Sequence, residues 1–141
     1  MEQRDLIKEQ IEQLGRVLGK ILSDFLNLKS EGKTSQGIEV SNERFKEELD
    51  IDIDVLRNLG KDELKNYFLN KKFTAEHIEK LADYFFELGT TEENVKEHLS
   101  SQYLLRSIDF LDLADSVSNT FSFERMNKKD RIKKIIKHKG Q

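Results

Sequence analysis

Cysteine and proline are both missing from this 141-residue chain, and glycine occurs only seven times. Without cysteine there is no disulfide framework, no thiolate metal site and no cysteine nucleophile. The same absence suits a reducing cytoplasm, the expected location. Proline and glycine are the residues that helix interiors tolerate least. Their scarcity, beside abundant Leu, Glu and Lys, predicts an all-α fold. No run of about 18 apolar residues occurs, so no membrane span is expected. The opening Met1-Glu2-Gln3-Arg4-Asp5 is polar and acidic, unlike the basic and then apolar start of a secretory signal.

Catalytic signatures are equally scarce. The three histidines, His77, His98 and His138, never follow a glutamate by three positions, so the Glu-x-x-His pair of di-iron bundles is missing. No phosphate-cradling glycine loop, His-Glu-x-x-His zinc motif or Gly-x-Ser-x-Gly elbow is present. His77 and His98 read as surface positions. Asp50-Ile51-Asp52-Ile53-Asp54 begins like a calcium loop. Val55 stands where the turn glycine belongs, however, and Lys61 where the bidentate glutamate belongs. The aspartates fit better as caps of a short helix from Asp54 to Leu59, with Ile51 and Ile53 in the core. The expectation is a protein that is not an enzyme and binds no cofactor or metal.

What the chain does have is helical periodicity. From Arg4 to Lys29, apolar residues fall at Ile7, Ile11, Leu14, Leu18, Ile21, Phe25 and Leu28. Steps of four and three place them on one face, and Leu22 and Leu26 widen that face. A helix of this length spans roughly 39 Å, and it is expected to be the central element. Gly15 and Gly19 interrupt it four residues apart. They are either tolerated glycines at the stripe's edge, a seat for another helix of the same chain, or a subunit contact. The second reading is favoured, and Gly15, Gly19, Leu22 and Leu26 form the candidate helix-contact or partner-binding set.

Further helices are expected over about 35–49, with Ile38, Phe45 and Leu49 inward, and over 61–70, with Leu64, Tyr67 and Phe68 inward. Thr74 is a good N-cap, and Phe73 and Ile78 have the spacing of a hydrophobic staple. The helix that follows stops at Gly89, placed for a left-handed C-terminal cap. Thr90-Thr91-Glu92-Glu93 has capping-box spacing, which predicts a long helix over 91–118 with a bend or break near Ser100-Ser101. Ser122 caps a last helix over about 122–138, with Phe121 and Met126 again at staple spacing.

Charge is divided unevenly. Residues 125–141 carry eight Lys or Arg and one acidic residue, while residues 1–124 carry 16 basic and 26 acidic, so the net −3 hides a strong asymmetry. The basic end is either a solvated, self-neutralising face or a contact for nucleic acid or another anionic surface. Lys128, Arg131, Lys134 and Lys137 are the candidate anion or nucleic-acid contacts. Their spread around the helix favours the first reading, with nucleic acid a lesser alternative.

The segments Ile11–Leu22 (IEQLGRVLGKIL) and Thr120–Lys128 (TFSFERMNK), with the helical pattern between them, resemble a family of small all-helical bacterial proteins of unknown function, loosely like tetratricopeptide repeats. The resemblance spans nearly the whole chain. It implies stacked helical hairpins and carries no functional residues. The expectation is one all-α domain over 1–141, with five to seven helices as stacked antiparallel hairpins, tetratricopeptide-like or as an orthogonal bundle. Its expected function is non-catalytic protein interaction or scaffolding, through an unknown protein partner or self-association. The alternative is a nucleic-acid-associated regulator using the basic end.

Overall fold

The computed structural model describes residues 2–91 and 97–139, with side chains described over 7–91 and 99–138. Seven α-helices are described: α1 (Glu2–Ser30), α2 (Thr34–Leu49), α3 (Ile53–Asn58), α4 (Lys61–Asn70), α5 (Ala75–Gly89), α6 (Glu97–Ser118) and α7 (Phe123–Lys139). Strands are absent among the described residues. The all-α expectation of five to seven helices therefore holds. None of the described helices is long and apolar enough to cross a membrane.

The helix ends follow from local chemistry. Asp52 caps α3, its Oδ1 accepting from the backbone N–H groups of Asp54 at 3.0 Å and Val55 at 3.2 Å. Ile51 and Ile53 on either side are buried, as the alternating stretch predicts. Thr74 caps α5, its Oγ1 accepting from the His77 N–H at 3.3 Å. Ser122 accepts from the Arg125 N–H at 3.2 Å and opens α7. With so few glycines, left-handed turns fall to other residues: Asp50, Lys72 and Asn119 all have φ between 52° and 60°. Such a conformation is disfavoured for residues with a Cβ and needs closing bonds to hold it. At Asp50 these are Asp50 N–H to Lys46 O at 3.1 Å and Ile51 N–H to Phe45 O at 3.0 Å.

α5, not α1, forms the centre. Ile78, Leu81, Ala82, Tyr84, Phe85 and Leu88 are all buried, on nearly every side of the helix. α1 is unbroken, but it buries only one stripe, Leu18, Ile21 and Phe25, while Ile7 is 49% exposed. Length made α1 the expected spine. The surround of apolar side chains decides for α5, because a helix apolar on several faces must be enclosed.

α6 lies antiparallel against α5 in one fixed register. Ser107 Oγ donates to Ala82 O at 2.7 Å, and Ser100 Oγ donates to Gly89 O seven residues along each helix. α6 passes Ser100-Ser101 without a break, and these serines serve as contacts between helices. Thr91, where α6 was expected to start, is buried and non-helical, its Oγ1 donating to Glu87 O at 2.8 Å, and residues 92–96 lie outside those described. α7 folds back antiparallel on α6, with Arg125 reaching Asp115 and Lys129 reaching Asp112. It therefore runs parallel to α5.

Gly89 is not the left-handed cap expected of it. Gly32 is the one described glycine with positive φ. Gly89 is instead a contact position: a Cβ there would lie 2.6 Å from Leu104 Cγ. Gly37 plays the same part in the α1–α2 hairpin, where a Cβ would meet Phe25 and Leu28 at 3.3 Å. Gly15 and Gly19 do not mark a tight helix crossing. A Cβ at Gly15 would touch the His77 ring at an ordinary 3.6 Å, and one at Gly19 would meet nothing within 4 Å.

Candidate interaction site

The periodicity that places Leu18, Ile21 and Phe25 in the core leaves Leu22 and Leu26 on the flank of α1, half-buried and 39% exposed respectively. α7 approaches this flank from the far side of α5. Between α1, α5, α6 and α7 lies a cleft of about 270 Å³. Its apolar walls are Leu22 and Leu26 from α1, Phe86 from α5, Leu111 from α6 and Ile132 from α7. Asp83, Glu87, Lys128 and Arg131 add charge to its lining. Four of the eight candidate residues, Leu22, Leu26, Lys128 and Arg131, thus meet around one cavity. The other four stand apart from it. Gly15 lies under His77, Gly19 faces open space, and Lys134 and Lys137 are exposed further along α7.

The charges around the cleft are unequal in freedom. Lys128 Nζ donates to Glu79 Oε2 at 2.7 Å and to Asp83 Oδ1 at 3.0 Å. Burial pushes the Asp83 carboxyl up, and the Lys128 ammonium only partly offsets it. Burial also pushes Glu79 upward, but there the bonds from Lys128 and Arg125 win, and its carboxyl sits below the usual range. Glu87 is held by Lys29 at 2.6 Å. Arg131 differs: its guanidinium lies 5.1 Å over the Phe86 ring, and no carboxylate among the described residues pairs with it. A guanidinium stacked on a ring keeps its edge donors free. The cleft therefore presents apolar walls and one available cation.

The same α5–α7 groove continues past the Lys128–Asp83 bridge into a second hollow of about 310 Å³, rimmed by Glu76, Glu79, Ser122 and Glu124. Asp83 lines both hollows. Lys80 and Arg125 line the second hollow too, so this end of the groove carries charges of both signs, while the other is apolar with a free arginine. Just beyond the mixed-charge end stand Phe121 and Phe123. They are 61% and 72% exposed, edge to face with ring centroids 5.3 Å apart. The expected staple placed Phe121 in a buried contact. The structure turns it outward against Phe123.

No family model, curated protein or solved structure matches this chain.

Sequence periodicity gave no sign of Phe86, which sits one residue off the buried Ile78–Phe85 stripe. His77 was expected at the surface and is 3% exposed. Both of its ring nitrogens are engaged internally, with Thr74 and Ile11. A polar side chain three residues after a threonine cap is the available signal, because that position reaches back to the cap. Among the described residues no three His, Asp or Glu side chains are grouped to hold a metal ion. In chemical terms the site can take up an apolar group flanked by a carboxylate.

Proposed function

We propose that this chain is a non-catalytic protein-interaction or scaffolding module of the cytoplasm, and that the cleft between α1, α5 and α7 is where it engages a partner. One observation carries the reading: Leu22 and Leu26 border a cavity whose rim offers Arg131 without a carboxylate partner among the described residues. Interfaces place apolar groups in pockets and enrich arginine around them. The resemblance to small tetratricopeptide-like bacterial proteins points the same way, since stacked hairpins commonly present partner-binding surfaces.

Capture from native cytoplasm by the full chain, with mass-spectrometric identification, tests the reading against Leu26→Arg, which places a charge at the cleft mouth. Partners held by the wild-type chain and lost by the variant support it. An unchanged capture profile in a folded Leu26→Arg protein overturns it. The competing reading, a nucleic-acid-associated regulator, draws on Lys133, Lys134 and Lys137, all exposed on the distal half of α7. It loses Lys128, which is committed to Glu79 and Asp83. Binding to duplex or single-stranded oligonucleotides at low salt, weakening steeply as salt rises, is its signature.

A further inference from the structure

We propose that α7 is a strap held down by charge, and that ionic strength sets whether the cleft is assembled. The consequence for partner binding rests on the interaction reading above; the strap itself does not. Among the described side chains of α7, Ile132 is the one apolar residue that is buried. Met126, Ile135 and Ile136 are half-buried. The first half of the helix is held chiefly by ion pairs. Arg125 pairs with Glu79 and Asp115, Lys128 with Glu79 and Asp83, and Lys129 with Asp112 and Asp115. Glu79 of α5 and Asp115 of α6 therefore each hold two cations of α7.

Such a contact responds to salt as the apolar α5–α6 contact does not. Charges pulled apart into water are screened by counter-ions, over a length that falls from about 10 Å at 0.1 M to about 3 Å at 1 M. Added salt thus favours the released strap over the docked one. A helix with few buried apolar contacts also opens at a lower free energy than the core it covers. Release takes Lys128, Arg131 and Ile132 out of the cleft lining, and it lifts Arg131 off the Phe86 ring. The cleft then loses one wall and its available cation together. It is whole only while the bridges to Glu79, Asp83, Asp112 and Asp115 are closed.

Hydrogen exchange of the full chain at one pH, in low salt and at about 1 M NaCl, tests the strap, with α5 as the internal reference. Exchange over α7 is expected to quicken at least about tenfold at high salt, while that of α5 changes by less than about twofold. Glu79→Gln/Asp115→Asn removes four of the six ion pairs that hold α7. This variant is expected to free α7 already at low salt and to keep little of the salt response. Lys133→Gln/Lys134→Gln/Lys137→Gln neutralises exposed cations outside the bridges and is expected to leave α7 exchange as in the wild type. An α7 that exchanges in step with α5 at both salt concentrations overturns the strap. So does a folded Glu79→Gln/Asp115→Asn protein with wild-type α7 protection, or a triple variant loosened as much as the double one. Should the double variant fail to fold, the wild-type comparison decides alone. Partner capture that persists unchanged once α7 is released overturns the cleft reading and leaves the strap standing.

Discussion

His77 of α5 is bonded through Nε2 to the carbonyl oxygen of Ile11 in α1, at 2.9 Å. The Thr74 N–H donates to His77 Nδ1 at 3.0 Å, so Nδ1 is the bare nitrogen and Nε2 carries the hydrogen that reaches Ile11. One neutral ring therefore closes the capping box of α5 and ties α5 to α1. Gly15, four residues after Ile11, lies beneath the ring, which stands at an ordinary contact distance of 3.6 Å from where a Cβ would be.

This arrangement has a pH signature. Protonation would put a hydrogen on Nδ1, opposite the Thr74 N–H, and burial already holds the His77 ring below its usual 6.5. The unfolded chain, with an ordinary imidazole, then binds more protons than the folded one below about pH 6.5. Stability contributed by neutral His77 is thus complete above that pH. It falls as pH drops toward the depressed folded-state value and levels off below it. Urea midpoints between pH 8 and pH 5 should show this slope, and His77→Gln should flatten it. A wild-type curve with no slope between pH 7 and pH 5.5 would contradict the neutral bridge.

The helices were legible in the sequence because their signals are local. Thr74, Ser122 and the aspartates around Ile51 announced their caps by spacing alone, and the 61–70 helix appears with the same ends. What faces what was not legible. The basic end of the chain announced itself, but not that Glu79 and Asp83, some 45 residues earlier, would neutralise Lys128. Leu22 and Leu26 were recognisable as the flank of a stripe, yet only the packing of α7 beyond α5 turns that flank into a cleft. Gly15 and Gly19 drew notice by their spacing. Gly37 and Gly89, where helices do touch closely, have no such pattern around them.

Arg125 anchors α7. Its Nε donates to Asp115 Oδ1 at 2.5 Å, its Nη1 to Glu79 Oε1 at 3.3 Å and its Nη2 to the Thr120 carbonyl at 3.3 Å. The residue is buried, so Arg125→Met leaves two carboxylates short of a partner and should cost about 3 kcal/mol. Burial raises the Asp115 carboxyl, but Arg125 and Lys129 outweigh it and hold the group below its usual range. A depressed folded-state pKa stabilises above the unfolded value, near about pH 4. That stability is lost as pH falls through the folded value. Acid unfolding of the wild-type chain should therefore show a Glu79- and Asp115-dependent limb that is reduced in Arg125→Met. An unchanged acid limb would place the anchor elsewhere.

The glycines of α1 and α5 should respond oppositely to the same change. Gly19 lies within α1 with open space around it, so Gly19→Ala should raise stability by about 1 kcal/mol through helix propensity alone. At Gly89 the new methyl would arrive 2.6 Å from Leu104 Cγ and 3.1 Å from the Ser100 carbonyl oxygen. Either α6 shifts away or Leu104 leaves its rotamer, and Gly89→Ala should cost about 1–3 kcal/mol as overpacking. Leu104 is fully buried, so Leu104→Ala is itself destabilising through the cavity it leaves. In the double variant the alanine at 89 sits partly in that cavity, and the two costs should sum to less than their separate values. Denaturant midpoints of the four proteins form a complete cycle. Strict additivity would mean that the α5–α6 contact at Gly89 is looser than its geometry indicates.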